Sequence, residues 1–510
     1  MTDGRSALML NRGLGTWLAT RRLGSPDSIA LIHGDGDRVS YRELADNAER
    51  AAALLTRDGI GRGDRVAYLG ENQPSFVETL FGCVMVGAVF VPLNTRLAAP
   101  ELGFILDDAG ARLLIHDARL ADIAVAATGG RVPTIVAGDD LAVAGGPAPS
   151  PVALGEDDPA VLLYTSGTTG RPKGAILTHG NLTWNCINVL VDADVASTDV
   201  ALIISPLFHT AALGMGLLPI LLKGGTAILE RSFDAGRALQ LIERHRVTML
   251  SGVPTTFQFI AEHPQWATTD IGSLRKLTCG GSPVPTRVLE AYEARGLSFS
   301  QGYGMTETSP GATFLPASMS RAKMGSAGIS HFFTSVRILD ADGKEAAPGT
   351  TGESQIAGPN VTIGYHEDPA ATAAAFTDDG WFRSGDVGYF DEDGYLFVSD
   401  RLKDMIISGG ENIYPAEVEG LIMELDDVTG VAVIGVPDHR WGEVPWAVIT
   451  VRTGANVSAG QISAHLAGRI ARYKIPKNVV IIDQLPRTAS GKVRRVELRA
   501  QIQAGKLSGN

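Results

Sequence analysis

The run Tyr164-Thr165-Ser166-Gly167-Thr168-Thr169-Gly170-Arg171-Pro172-Lys173-Gly174 carries the residue types that grip a polyphosphate. Its glycines let backbone N–H groups turn toward one point, and the hydroxyls of Thr165, Ser166, Thr168 and Thr169 add donors around them. Arg171 and Lys173 supply positive charge. The apolar run Ala160-Val161-Leu162-Leu163 before it reads as a short buried strand, and Ala175-Ile176-Leu177-Thr178 resumes order after it. A surface turn of small polar residues is the ordinary explanation for such a cluster. A Walker A loop fails, because Gly174 follows Lys173 where Ser or Thr is needed, and Gly170 stands three residues before the lysine.

Five more segments hold chemistry. In Gln301-Gly302-Tyr303-Gly304-Met305-Thr306-Glu307-Thr308, Tyr303 offers a flat ring on which a purine can stack and Glu307 a hard oxygen ligand for Mg2+. This segment follows Leu297-Ser298-Phe299, a strand end, and ligands bind at the carboxyl ends of parallel strands. Taken alone it reads equally well as a polar turn with a capping threonine. Trp381-Phe382-Arg383-Ser384-Gly385-Asp386 presents an aspartate, an acceptor suited to ribose hydroxyls, although a lone Ser-Gly-Asp is more often a turn. The stretch from Asp400 to Asn412 is charged on both sides of a change in composition, as an interdomain linker is. Lys492 ends a glycine-containing loop, where a lysine is ordinarily just solvated, and His209 lies in the apolar Pro206-Leu207-Phe208-His209-Thr210, where a packed core histidine is the usual case.

Taken together these segments reverse the bland readings, because in order and spacing they resemble the adenylate-forming superfamily of acyl-CoA synthetases, peptide-synthetase adenylation domains and beetle luciferases. The resemblance extends from the Ser40 helix to Lys492. It implies that Thr165, Ser166, Gly167, Thr168, Thr169 and Lys173 bind the phosphates of ATP. Gln301, Gly302, Tyr303, Gly304, Met305 and Thr306 would hold the adenine, facing a wall of Gly281, Ser282 and Pro283 behind Cys279-Gly280. Glu307 and Thr165 would hold Mg2+, with Thr306 and Glu307 counted in the catalytic set, and Asp386 and Arg401 would take the ribose. Lys403 would be a swivel, Ser408-Gly409-Gly410 would line the path of a thiol, and Arg472 and Lys474 would meet the phosphates of CoA. Lys492 would be the adenylation lysine and His209 a gate beside the acyl pocket.

The implied reaction has two halves. A carboxylate and ATP give an acyl-adenylate and pyrophosphate, and then the C-terminal domain turns, withdraws Lys492 and admits the CoA thiol. Carboxylate and α-phosphate are both anions, so a lysine between them cancels repulsion and orients attack. Segments 208–216 and 253–260, with Met305, are expected to line the acyl pocket through His209, Thr210, Leu213, Val253 and Phe257. They carry no lysine or arginine to meet a second carboxylate. An apolar monocarboxylic acid is therefore expected, medium-to-long fatty acids ahead of aryl acids. A free-standing carrier protein in place of CoA, or a non-catalytic nucleotide sensor, are the other readings, and intact Glu307, Asp386 and Lys492 speak against the sensor.

These segments need elements to position them. Ser40-Tyr41-Arg42-Glu43 is a capping box opening a helix striped by Leu44, Ala48, Ala51, Ala52 and Leu55. Strands at Val66-Ala67-Tyr68-Leu69, Val89-Phe90-Val91 and Leu113-Leu114-Ile115 alternate with helices, which predicts an α/β fold with a parallel sheet. Further strands start at Val200 and Thr226, and 137–155 reads as a loop. Beyond about residue 335 the turns Asp342-Gly343, Asp379-Gly380 and Asp393-Gly394 signal hairpins of a small β-rich subdomain. A small α+β domain follows, with strands near 432–436, 447–451 and 479–482 and a helix over 458–471. The expected organisation is an α/β multidomain chain: residues 1–400 a large N-terminal domain of two α/β layers plus the β-rich part, 401–404 a hinge, and 405–510 a mobile C-terminal domain.

At 510 residues the chain exceeds one compact core. A net charge of −12 with no basic block excludes nucleic acid as the main partner. Cys83, Cys186 and Cys279 have no metal-ligand spacing, so a reduced compartment is expected. The longest apolar run, 211–222, is well short of the roughly 20 residues a spanning helix needs. The expectation is a cytoplasmic monomer or homodimer acting on small molecules, with peripheral membrane contact left open.

Overall fold

The computed structural model describes residues 13–138, 152–166, 172–281, 283–340, 342–401, 404–408, 411–438, 441–455, 457–467, 469–470, 472–487 and 492–507. Most of the loop expected at 137–155 lies outside them.

Two sheets face each other across a layer of helices. The six-stranded sheet runs Thr134–Val136, Ala111–His116, Arg65–Leu69, Val89–Pro92, Pro159–Ser166, Pro172–Thr178 in space. Its neighbours are parallel except for the last pair, an antiparallel hairpin whose strands flank the expected phosphate loop in sequence. The nine-stranded sheet is parallel at its centre, where Lys276–Gly280, Met249–Gly252, Val200–Ile203, Thr226–Leu229 and Ile29–His33 lie side by side. Phe299–Gly304 joins it parallel to Lys276–Gly280, and antiparallel strands close both edges.

The largest core cluster belongs to both sheets. Val66, Leu113 and Ala160 from one and Leu31, Ala201 and Ala227 from the other meet around Tyr41, Phe76, Phe81, Leu182 and Leu217. Pro74–Val86 is predominantly apolar and almost wholly enclosed, as a helix between two sheets must be. Gly82 on it lies so close to Ala51 that a methyl group would sit 2.7 Å from the Ala51 Cβ, so Pro74–Val86 and Tyr41–Arg57 touch at backbone distance. The capping box is present: Glu43 N–H donates to Ser40 Oγ at 3.2 Å and Ser40 N–H to Glu43 Oε2 at 2.7 Å.

The β-rich part is a four-stranded antiparallel sheet of Ser335–Leu339, Gly352–Ala357, Phe382–Phe390 and Leu396–Arg401. Gly343, Gly380 and Gly394 turn at φ of 75°, 85° and 81°, as the three Asp-Gly signals require. From Ile406 the chain enters a separate five-stranded sheet built on the long pair Val428–Asp438 and Gly442–Val451. The helix expected over 458–471 is shorter, Ala459–Leu466, because Ala467 turns to an extended ψ of 128°.

Candidate active site

The hairpin Pro159–Ser166/Pro172–Thr178 sets Thr165 opposite Lys173 and Ser166 opposite Pro172, bringing both ends of the phosphate loop together. Gly167, Thr168 and Thr169 lie outside the described residues. Lys173 Nζ stands 3.7 Å from Asp368 Oδ2 and 5.5 Å from the centre of the Tyr365 ring.

The expected adenine segment leaves the nine-stranded sheet at its carboxyl end. Gln301 pairs with Cys279 and Gly302 with Gly280, so this strand and the opposite wall are neighbours. The Val284 N–H donates to Gln301 Oε1 at 3.2 Å, tying the wall loop down. Gly281 sits at φ 85°, and a methyl there would be 3.6 Å from Val253 Cγ1, so Val253 borders the wall. Ser282 lies outside the described residues, and Pro283 is exposed. Gly304 cannot be another residue, since a Cβ would fall 1.7 Å from the Pro310 carbonyl oxygen. Met305 caps a single turn, Thr306–Thr308, which carries Glu307.

Tyr303 and Asp386 form one unit. The Tyr303 hydroxyl donates to Asp386 Oδ2 at 2.7 Å, and burial, then the aspartate's charge, push the phenol well above its usual range. It therefore stays protonated and fixes the carboxylate. Asp386 is 5% exposed and lies opposite Arg401 in the antiparallel ladder. The Arg401 side chain is outside the described set.

The loop from Met305 to Gly311 is held from behind by buried amides. Asn360 Nδ2 donates to the Thr308 and Gly311 carbonyls at 2.8 and 2.6 Å. Asn185 accepts from Gly311 N–H at 3.1 Å and donates to the Gly214 carbonyl at 2.8 Å. Gly214 belongs to the π-helix Ala211–Leu217 that follows His209 and Thr210. The segments expected to line the acyl pocket and to hold the nucleotide are thus joined through one asparagine.

His209 is neutral. Burial, then Arg96, then Lys492 lower its pKa to about 4, and its Nε2 is a buried atom without a hydrogen-bond partner. For Lys492 to act on that imidazole it must stand near the acyl segment, although it comes from the far end of the chain. The Arg287 guanidinium, on Thr286–Glu293, also reaches the C-terminal sheet, donating to the Val428 carbonyl at 3.3 Å.

Thr210 and Leu213 are buried beside His209. Phe257, expected in the acyl pocket, is a correction. Its ring is 0% exposed and closed edge-on by Tyr292 and Phe299, in the core on the far face of the nine-stranded sheet. Phe259 of the same helix faces out, stacked on Phe233. Lys474 Nζ is 2.6 Å from Glu417, so the cation expected to meet CoA already has an acidic partner. Arg472 shares its 3-10 turn, and Ser408 is buried. Lys403, Gly409 and Gly410 lie outside the described residues.

The donor set suits a magnesium ion shared with phosphates. Among the described residues no cluster of three or more acidic, histidine or cysteine side chains could hold a metal alone. Mg2+ is ordinarily bound by one or two carboxylates plus substrate phosphates. Glu307, with one oxygen accepting from Tyr365 at 2.9 Å and the other available, and the Thr165 hydroxyl fit that mode. No helix among the described residues is long and apolar enough to cross a membrane.

A family model described as AMP-binding enzyme matches residues 18–366, and one described as AMP-binding enzyme C-terminal domain matches 417–492. The chain is 52% identical to a feruloyl-CoA synthase from an Amycolatopsis species, over 97% of this chain and all of that protein. It is 39% identical to the long-chain-fatty-acid–CoA ligase FadD13 of Mycobacterium tuberculosis, over 97% of this chain and 99% of the relative. The crystal structure of ATP-bound MatB from Rhodopseudomonas palustris superimposes with a TM-score of 0.91 at 34% identity, covering 97% of this chain and 99% of that one.

Proposed function

The chain belongs to the AMP-binding enzyme family, as an acid–thiol ligase of the acyl-CoA synthetase type, and from that premise we propose that its acid is an apolar monocarboxylate, with aryl-propenoic acids of the ferulate kind ahead of fatty acids. ATP, Mg2+ and CoA are its co-reactants. Sequence alone ranks fatty acids first, and the 52% identity to a feruloyl-CoA synthase supports placing aryl acids ahead of them. The absence of a cation from 208–216 and 253–260 supports both acids over a dicarboxylate.

The observation that carries the ligase reading is the match to the AMP-binding family over residues 18–366 and 417–492, the second match ending on Lys492, and the share of Lys492, after burial and Arg96, in lowering the pKa of His209 supports bringing that lysine to the acyl segment. In the proposed reaction the ammonium is brought to where a carboxylate, packed beside Thr210 and Leu213, would meet the α-phosphate of a nucleotide held by Asp386 and Tyr303. Lys492 offsets the repulsion of the two anions and stabilises charge as the carboxylate oxygen attacks phosphorus and pyrophosphate leaves. His209, uncharged and with an unsatisfied Nε2, can donate one hydrogen bond to orient the carboxylate without adding a competing cation. Glu307 and the Thr165 hydroxyl would hold Mg2+, which would supply charge neutralisation on the departing phosphates.

The second half-reaction needs Lys492 to leave. The hinge is proposed at 401–404, between a domain of residues 1–400 and one of 405–510. Two observations support it: the β-rich sheet ends at Arg401, and buried Asp404 is already tied to Arg495 and Arg499 of the C-terminal helix at 3.7 and 3.5 Å. Lys492→Ala is expected to lower acyl-adenylate formation by a factor of at least about 100, the loss of one preorganised charge contact, while CoA acylation from supplied acyl-adenylate stays within a few-fold. Lys403→Pro, which stiffens the hinge, is expected to do the reverse. If both variants, folded, lost both half-reactions equally, alternation about this hinge would be refuted.

A further inference from the structure

Tyr365 belongs to none of the motifs that carry the proposed chemistry, yet it touches two of them. It lies on a strap, residues 359–368, laid along the outer strand of the phosphate hairpin. Asn181 Nδ2 donates to the Pro359 and Val361 carbonyls at 2.8 and 2.7 Å. Thr362 Oγ1 donates to the Ile176 carbonyl at 2.6 Å, Ile176 N–H to the Gly364 carbonyl at 2.9 Å, and His366 N–H to the Gly174 carbonyl at 2.8 Å. The strap therefore moves with the strand that carries Lys173. It also moves with the turn that carries Glu307, because Thr362 N–H donates to the Glu307 carbonyl at 2.7 Å.

The side chain of Tyr365 spans the same two places. Its hydroxyl donates to Glu307 Oε1 at 2.9 Å, and the face of its ring lies 5.5 Å from Lys173 Nζ, which also stands 3.7 Å from Asp368 Oδ2. A carboxylate that accepts one bond on Oε1 presents Oε2 in a fixed direction, which is how outer partners orient a metal ligand. A cation over a ring face is held by the ring's quadrupole without losing its donors to phosphate.

Resting on the ligase reading above, we infer that Tyr365 is a positioning residue that sets the magnesium carboxylate Glu307 and the phosphate lysine Lys173 at one fixed separation, matched to a Mg2+-bridged polyphosphate. Its hydroxyl serves the metal and its ring serves the lysine. The two contributions separate under substitution.

The test uses the full-length chain and measures binding of a non-hydrolysable ATP analogue by calorimetry across a free-Mg2+ titration, beside pyrophosphate release. Tyr365→Phe is expected to raise the half-saturating free Mg2+ by about tenfold, the lower end for loss of a partner behind a metal ligand. Nucleotide affinity at saturating Mg2+ and KM for the acid stay within twofold. Tyr365→Leu, which also removes the ring, is expected to weaken nucleotide binding at saturating Mg2+ several-fold further. In a Glu307→Gln background the effect of Tyr365→Phe on the Mg2+ curve disappears, whereas a merely structural effect would persist. Thr362→Val, which loosens the strap without touching the carboxylate, shifts the curve in the same direction and decides the matter if Tyr365→Phe melts early. Superimposable Mg2+ curves for the parent and Tyr365→Phe, with the parent active, overturn the inference alone. A parent chain that shows neither Mg2+-dependent nucleotide binding nor acid-dependent pyrophosphate release overturns the ligase reading and the inference with it.

Discussion

Gly214→Ala should disable the nucleotide loop from the acyl side. A methyl at Gly214 would fall 2.4 Å from the Ser309 carbonyl oxygen, 2.7 Å from Pro310 Cδ and 3.0 Å from Asn185 Nδ2. Ordinary van der Waals contact begins near 3.4 Å, so the Ser309 backbone must retreat by about 1 Å. That backbone cannot move alone, since Asn360 and Asn185 bind the same loop one residue before it and two residues after, and Glu307 and Met305 ride on it. A displacement of about 1 Å at a reacting centre costs about 100-fold, or about 2.7 kcal/mol of transition-state stabilisation. The expected result is a drop of about 100-fold in kcat/KM for acid-dependent pyrophosphate release, with the chain still folded by circular dichroism. Gly216→Ala is the control on the same π-helix. Its methyl would meet only Ile203 Cδ1, at 2.8 Å, the free end of a flexible side chain. It is expected to cost less than about threefold, as a tolerated overpacking does. Equal losses in the two variants, or a Gly214→Ala enzyme within threefold of the parent, would refute the coupling of these two segments through Ser309.

Stability should fall on the acid side because of buried histidine. Burial holds His179 at about 4, against 6.5 for an exposed imidazole, while its Nδ1 accepts from Leu14 N–H at 3.2 Å. Between pH 6.5 and 4 the unfolded chain takes up a proton that the folded chain refuses, so stability is lost as pH falls through that window, by about 2 kcal/mol from this residue between pH 7 and 5. Denaturant titrations of His179→Asn should show that part of the slope gone, and an unchanged slope would contradict the assignment. Asp386→Asn leaves the Tyr303 hydroxyl facing an amide and removes a charged acceptor, so KM for ATP is expected to rise about 10- to 30-fold. With 2′-deoxy-ATP the penalty should shrink. An equal penalty for both nucleotides would place Asp386 away from the ribose.

What the sequence made legible was contiguous. The phosphate loop, the Tyr303–Glu307 run and the Ser40 capping box each declare themselves within a dozen residues, because the chemistry or the hydrogen bonding is local. Tyr365 is 58 residues from Glu307 and meets it only when the strap is laid on the hairpin, so no spacing announces it. The same is true of Asn185, which lies 126 residues before the Gly311 amide it accepts from. Phe257 fails for a different reason. Helical phase shows that Phe257 and Phe259 point different ways, but which face of Pro254–Glu262 meets the sheet depends on packing across the nine strands. A loop residue's neighbours in sequence are its neighbours in space, and a helix's are not.

The most direct measurement is pyrophosphate release from Mg2+ and ATP with ferulate, dodecanoate and succinate as acids, with and without CoA, with products identified by mass. The expected result is release that depends on ferulate at a kcat/KM at least tenfold above dodecanoate, none with succinate, and feruloyl-CoA and AMP appearing when CoA is added. Turnover with succinate alone would contradict the apolar pocket, and no release with any acid would contradict the ligase reading.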